Sequence, residues 1–300
     1  MPNEKLFPIT GLAFNVGNGC QLNLTPEELE VALQYSPTPG LPKLVALLMN
    51  MQLEEHNPPS CARSNMKVAI STGSQDALAK AFNMLLNADD SLLLENPTYS
   101  GSLAFLKPLG CHLAGINTDG DGLDPVHMEH ILKNWEMVHP GRRFPRVLYT
   151  IPTGANPSGG TLTLSRKQAI YRLAQKYNLL IMEDDPYYYL QFNKRVPSLF
   201  SMDVDARVLR FDSFSKVLSS GLRLGFATGP TVLIEKLCMD TQATCLHPSG
   251  LSQAVALKLL QHWQVCSSAF PSRPLFFLLS FPFLFPNAYT PTHQSLFFFF

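Results

Sequence analysis

Charge is scarce in this chain: only 15% of its 300 residues are ionisable at neutral pH, and 23 basic side chains meet 23 acidic ones. Without a basic excess there is no electrostatic footprint for phosphate backbones or anionic bilayers, which argues against nucleic acid and membrane partners. Cysteine is sparse as well. The six thiols at 20, 61, 111, 238, 245 and 266 form no C-x-x-C pair and no zinc spacing, so they read as scattered thiols in a reducing compartment. The opening MPNEKLFPITGLAF has neither the order of a secretory signal nor the Arg-rich amphipathic pattern of a transit peptide. The expected location is therefore the cytoplasm or the mitochondrial matrix, with any address lying elsewhere. There is no G-x-x-x-x-G-K-[ST], no G-x-G-x-x-G after a strand, no H-E-x-x-H and no G-x-S-x-G. The eight histidines show no ligand spacing, and no metal is expected.

Short apolar runs recur at 67–70, 91–95, 111–116, 146–151, 179–183, 207–211 and 224–228, most of them separated by segments of helical spacing such as 75–86, 125–138 and 164–177. Buried strands punctuated by helices predict an α/β domain on a mainly parallel sheet. Thr25-Pro26-Glu27-Glu28 offers an N-cap, a proline at the first helical position and a capping-box glutamate, so a helix is expected from there to near Tyr35. A second should start at Pro42, and a last helical stretch, 231–262, is interrupted by His247-Pro248-Ser249-Gly250.

Composition breaks near Val265. Ten of the twenty phenylalanines crowd into 265–300, where Arg273 is the only formal charge. The apolar run 275–285 is shorter than the roughly 20 residues a bilayer span needs, and no helical or strand period survives. Two readings stand for this tail: translated non-coding sequence without order, or a docking segment for a membrane surface or partner. The expected divisions are an altered N-terminal arm over 1–24, a large domain over 25–264 and the Phe/Pro-rich tail.

Five loops at strand ends carry the chemistry. Asp212-Ser213-Phe214-Ser215-Lys216, followed by Ser219-Ser220-Gly221-Leu222-Arg223, places a lysine just after a strand. A lysine in such a loop can form a Schiff base with an aldehyde cofactor, while two serines and Arg223 suit a phosphate. Glu183-Asp184-Asp185-Pro186-Tyr187 puts a carboxylate at a strand's carboxyl end, where open α/β sheets bind ligands. Asn156-Pro157-Ser158-Gly159 supplies an amide donor. Ser71-Thr72-Gly73-Ser74-Gln75 opens a helix whose free N–H groups face an anion. Tyr99, after another strand, is available to stack on a planar ring. Each loop alone reads equally as a turn, a salt bridge or packing. In that chain order they make a phosphate cup, an aromatic face, a pyridinium partner, a phenolate partner and a Schiff-base lysine, which is the set pyridoxal phosphate chemistry needs.

The chain resembles the class I/II aminotransferases, fold type I of the pyridoxal phosphate enzymes, and within them the kynurenine/aminoadipate branch. The resemblance covers roughly 32–264 and is most specific at AlaLeuGlnTyrSerPro (32–37) with Gly40, GluAspAspProTyrTyr (183–188) with LeuGlnPhe (190–192), SerMetAspValAsp (201–205), and SerPheSerLys (213–216) with SerSerGlyLeuArg (219–223). It implies pyridoxal 5'-phosphate as cofactor and Lys216 as its covalent lysine and proton-transfer base. It also implies Asp184 against the pyridine nitrogen, Asn156 and Tyr187 on the ring oxygen, and Tyr99 stacked on the ring. Ser74, Gln75, Ser213, Ser215 and Arg223 are implied on the phosphate. Tyr35 would reach the phosphate of the other subunit, which implies a homodimer with shared sites. The implied reaction is ping-pong transfer of an amino group from an L-amino acid to a 2-oxo acid through pyridoxamine phosphate.

Two departures accompany the resemblance. The family's small C-terminal domain, whose arginine pairs with the substrate carboxylate, has no counterpart before the tail, and the arm before Gly17 looks altered. They support a second reading, a truncated splice or gene-model product acting as an inactive dimer partner with activity near background. A third is another reaction on the same fold, such as a lyase or decarboxylase.

Overall fold

The computed structural model describes residues 3, 7–17, 19–191 and 195–268. The expected tail lies outside the described residues from 269 onward. A two-stranded antiparallel hairpin, β1 (Ala13–Val16) and β2 (Cys20–Asn23), comes first. Two helices follow, α1 (Pro26–Leu33) and α2 (Pro42–His56), then the short α3 (Ser60–Ser64) and β3 (Met66–Ser71). Next come α4 (Ser74–Leu85), β4 (Ser91–Asn96), α5 (Ser100–Leu109), β5 (His112–Asp119) and β6 (Gly122–Leu123). After α6 (Pro125–Lys133) and α7 (Trp135–Val138) the chain runs through β7 (Val147–Thr150), α8 (Leu164–Lys176), β8 (Leu180–Asp184), β9 (Val208–Ser213) and β10 (Gly225–Pro230). It ends in α9 (Thr231–Thr244) and α10 (Gly250–Ser268).

Eight strands form one sheet in the order β3-β10-β9-β8-β7-β4-β5-β6. The middle five are parallel, as the continuous apolar runs predict, while β10 runs antiparallel to both β3 and β9 and β6 antiparallel to β5. All seven predicted strands form. The predicted 125–138 helix is broken at Asn134, and 231–262 divides at the His247-Pro248 interruption, with α10 running on past 264 to Ser268.

Period-two alternation sends successive strand residues to two covered faces. Leu92, Leu94, Val147, Tyr149, Met182, Leu209 and Phe211 pack under α4, α5 and α9. Leu93, Leu148, Ile181 and Val208 lie on the other face under α6 and α8, and Val68, Ile70 and Phe226 continue it beneath α2 and α10. Helix α1 carries the expected capping box. Thr25 accepts from the Glu28 N–H at 3.2 Å and Glu28 accepts from the Thr25 N–H at 2.9 Å, which satisfies two of the orphan donors at the helix start. Lys258 of α10 holds the same glutamate at 2.9 Å, tying the last helix to the first.

Candidate active site

At the carboxyl ends of β4, β7, β8 and β9, the face under α4 and α5 carries a group of buried polar side chains. Asp184 closes β8, with only 3% of its surface exposed. Its Oδ2 accepts from the Tyr149 hydroxyl at 2.8 Å, and that hydroxyl accepts from Ser102 Oγ at 2.9 Å. Its Oδ1 is buried with no hydrogen-bond partner among the described residues. Burial, and then the charges of Asp185, Asp212 and Glu95, push its pKa up to about 7, against the favourable Tyr149 bond. A carboxylate this deep, with a free oxygen and no ion-pair partner among the described residues, fits a ligand that brings a positive N–H.

Beyond β3, Gly73 adopts φ +79° and starts α4 with no side-chain cap, so the first N–H groups, those of Ser74 and Gln75, and the positive end of the helix dipole are directed at the loop. A side chain at Gly73 would meet Arg223 Nη2 at 2.5 Å, and one at Gly225 would meet the Ser74 nitrogen at 2.7 Å. The bare glycines are what let the guanidinium of Arg223 and the start of α4 share one cup. Arg223 itself sits in the left-handed region at φ +50° and donates to Ser215 Oγ at 3.3 Å and to the Ser220 carbonyl at 3.1 Å. Ser213 Oγ accepts from the Ser215 N–H at 3.2 Å. The sheet edge thus holds two amides, two hydroxyls and one cation together, which suits a phosphate dianion.

Lys216 follows directly, with Nζ 5.9 Å from the Tyr187 ring centre. Burial, Asp184 and Tyr99 raise the Tyr187 phenol above its ordinary value, while a hydrogen bond with Asn156 works the other way. Tyr99 caps α5 with its ring over Gly101, where any side chain would collide with it, and Gln75 reaches the Gly101 carbonyl at 3.0 Å. The structure therefore brings together Ser74, Gln75, Tyr99, Asn156, Asp184, Tyr187, Ser213, Ser215, Lys216 and Arg223. It does not bring Tyr35, which is 59% exposed at the end of α1 with its ring edge-on to His247 at 5.9 Å. Tyr149 and Ser102 escaped the sequence reading. The signal was a phenol inside the buried run ValLeuTyrThr, since a hydroxyl there must find a partner.

The profile of the aminotransferase class I and II family matches residues 26–270. The chain belongs to that family. Kynurenine/alpha-aminoadipate aminotransferase, mitochondrial, from Rattus norvegicus is 46% identical over 270 residues, which is 87% of this chain and 64% of the rat protein. Among solved structures, aminotransferase Aro8 from Candida albicans superposes with a TM-score of 0.80 at 30% identity, covering 87% of this chain and 63% of that one. LysN, the alpha-aminoadipate aminotransferase from Thermus thermophilus complexed with N-(5'-phosphopyridoxyl)-L-leucine, gives 0.70 at 33% identity, covering 80% and 58%. This chain thus spans less than two thirds of the length of each. The enzyme names of these relatives, which belong to the whole proteins, do not favour the reading as an inactive partner.

Proposed function

We propose that the chain acts as a pyridoxal phosphate-dependent aminotransferase of the kynurenine/2-aminoadipate type, taking the amino group of an L-amino acid and giving it to a 2-oxo acid. The observation that carries this reading is the buried Asp184 with its open Oδ1, set on the same sheet face as the Ser74–Arg223 cup and Lys216. Bound there, pyridoxal phosphate supplies a positively charged ring that draws electrons from the substrate Cα. Asp184 holds the proton on the ring nitrogen. Its folded-state pKa of about 7 falls once a cation sits at Oδ1, so it is ionised when the site is filled. Ser74, Gln75, Ser213, Ser215 and Arg223 hold the phosphate, Asn156 and Tyr187 hold the ring oxygen, and Tyr99 covers the ring.

Lys216 would hold the cofactor covalently through Nζ and, when Nζ is free, would move a proton at the substrate Cα. Tyr35, exposed at the end of α1, reaches the phosphate of a second copy in a homodimer. Mitochondrial matrix or cytoplasm is the proposed location, and the rat relative is named as mitochondrial. Large domain 25–264 carries the cofactor, with 1–24 as arm and 265–300 as tail. Borohydride reduction of the cofactor-loaded chain followed by peptide mapping tests the reading. The label is expected on Lys216, and label on Lys80 or Lys236 overturns it.

A further inference from the structure

Two consecutive residues of β7 hold a buried carboxyl on each side of the sheet. Tyr149 lies on the face under α4 and α5 and donates to Asp184 Oδ2 at 2.8 Å. Thr150, by alternation, lies on the face under α6 and α8, and its Oγ1 donates to Glu95 Oε1 at 2.5 Å. Parallel pairing sets this up. Leu94 of β4 stands opposite Tyr149 of β7, so the next residues along, Glu95 and Thr150, are neighbours in turn. The Ile151 N–H donates to the same Glu95 oxygen at 3.1 Å.

Glu95 is 1% exposed, and its Oε2, like Asp184 Oδ1, is buried with no hydrogen-bond partner among the described residues. The cations on its face are engaged elsewhere. Arg210 is shared by Glu183, Asp185 and Asp212, Lys167 of α8 donates to the Pro197 carbonyl at 2.9 Å, and Lys133 of α6 pairs with Glu129 at 3.2 Å. On the Asp184 side, Asp76 and Lys80 of α4 pair with each other at 2.9 Å, and Lys216 lies toward Tyr187. Burial pushes the Glu95 pKa up to about 7, against the Thr150 and Ile151 bonds. Its charge is felt through the sheet, since it is among the groups that raise both Asp184 and the Tyr149 phenol. Of the three carboxyls that raise Asp184, Asp185 and Asp212 are paired with Arg210, whereas Glu95 has no ion-pair partner among the described residues.

We propose that Glu95 is a positioning residue for the cofactor site, a second carboxylate behind Asp184 that, when ionised, adds its charge to that of Asp184 in holding a protonated ring nitrogen. This role rests on the pyridoxal phosphate reading above. Two like charges held close in a buried site resist ionising together, and a cation at Asp184 Oδ1 relieves both. Contact with the ring stays with Asp184, and Glu95 acts through it. The Tyr149-Thr150 pair fixes the spacing, because neither carboxyl can draw away without giving up its hydroxyl donor.

Glu95→Gln tests this, since it keeps a carbonyl oxygen for Thr150 and Ile151 and removes only the charge. Dissociation constants of the full chain for pyridoxal phosphate are measured by fluorescence at pH 6 and pH 8, beside a carbon-13 titration of the Asp184 carboxyl in the cofactor-free protein. At pH 6, where Glu95 is largely protonated, variant and wild type should bind within about twofold of each other. At pH 8 the variant should bind about three- to tenfold more weakly. Its Asp184 carboxyl should titrate at lower pH than in wild type. Thr150→Val removes a donor to the ionised Glu95, so the onset of tighter binding should move to higher pH with Glu95 itself in place. A merely structural role weakens binding equally at both pH values. That result, or an Asp184 titration unmoved by Glu95→Gln, overturns this role alone, whereas a wild-type chain that takes up no cofactor refutes the functional reading and this role with it.

Discussion

The two faces of the sheet end in opposite ways. Under α2, Glu183, Asp185 and Asp212 converge on Arg210, and all four are within 1% of complete burial. Arg210 makes a two-point contact with Asp212, at 3.0 Å through Nε and 2.8 Å through Nη2, and reaches Asp185 and Glu183 at 3.2 Å each. Glu183 spends both oxygens on the Leu199 and Phe200 amides as well, and Gln52 of α2 donates to Asp212 at 3.3 Å. Under α4 and α5, one residue away along β8, Asp184 bonds the Tyr149 hydroxyl and no other side chain among the described residues. Neighbouring carboxylates of one strand are thus paired internally on one side and left open on the other. Buried charge that finds its counter-ion within the chain holds strand ends in place. A buried carboxyl that does not, as at Asp184, leaves an acceptor open to a group from outside the chain.

The largest effect expected is on the paired face. Arg210→Met leaves three buried carboxylates without their common cation, and breaking a buried pair from one side costs about 3–5 kcal/mol. Urea unfolding should show that loss with an unchanged slope. A loss below about 1 kcal/mol would mean that backbone amides and Gln52 hold the carboxylates without the guanidinium, and the contrast between the faces would fail.

Next is Asp184→Asn, which separates the faces by sign. In the cofactor-free protein, the Asp184 pKa is raised from 3.8 to about 7, so the folded state binds the proton more tightly than the unfolded chain. That stability is complete below pH 4 and is lost as pH rises through 7, at up to about 1.4 kcal/mol per pH unit. Glu95, raised to about 7, and Asp185, raised to about 6, share the window. Asp184→Asn should remove one proton's share of the slope and leave the cofactor-free protein more stable than wild type at pH 8. The same variant should hold pyridoxal phosphate about 10–100-fold more weakly, on the scale of a lost charge-assisted bond. Equal cofactor loss on Asp185→Asn would show that the wrong carboxylate had been assigned to the ring.

How much of this was legible follows from the same alternation. The seven strands were readable because strands covered on both faces are apolar on both faces, and the loops after them because Asp184, Lys216 and Arg223 are polar residues directly beyond apolar runs. Arg210 was not singled out inside ArgValLeuArgPhe, which reads simply as one of the short apolar runs. Asp212 is two residues on, but the other partners of Arg210, Glu183 and Asp185 at the end of β8, are 25 or more residues back, beyond any local window. Helix α5 was missed because Gly101 and Pro108 weaken its pattern and only Ser102 and Leu106 are buried. The β1–β2 hairpin was missed because four-residue strands with half-exposed side chains show little alternation. Tyr35 was legible as a motif, but its exposure at the end of α1 is a fact of the folded chain.

The smallest expected effect is Tyr149→Phe, and it asks whether the one bond Asp184 makes is electrostatic or a packing accident. The ring is fully buried and edge-on to Phe82 at 5.3 Å, so phenylalanine keeps the apolar contacts and removes only the hydroxyl. Two bonds disappear, from Ser102 and to Asp184. A hydrogen bond to the ionised carboxyl lowers its pKa, so without it the Asp184 value moves further above 7. The cost should be about 1 kcal/mol at pH 8, where wild-type Asp184 is largely ionised and accepts the bond. At pH 5 the carboxyl is protonated in both proteins, and the loss should be smaller. Urea midpoints of the cofactor-free pair at the two pH values measure the difference directly. An equal loss at pH 5 and pH 8 would show that Tyr149 serves the core beneath α4 and α5 and does not set the charge of Asp184.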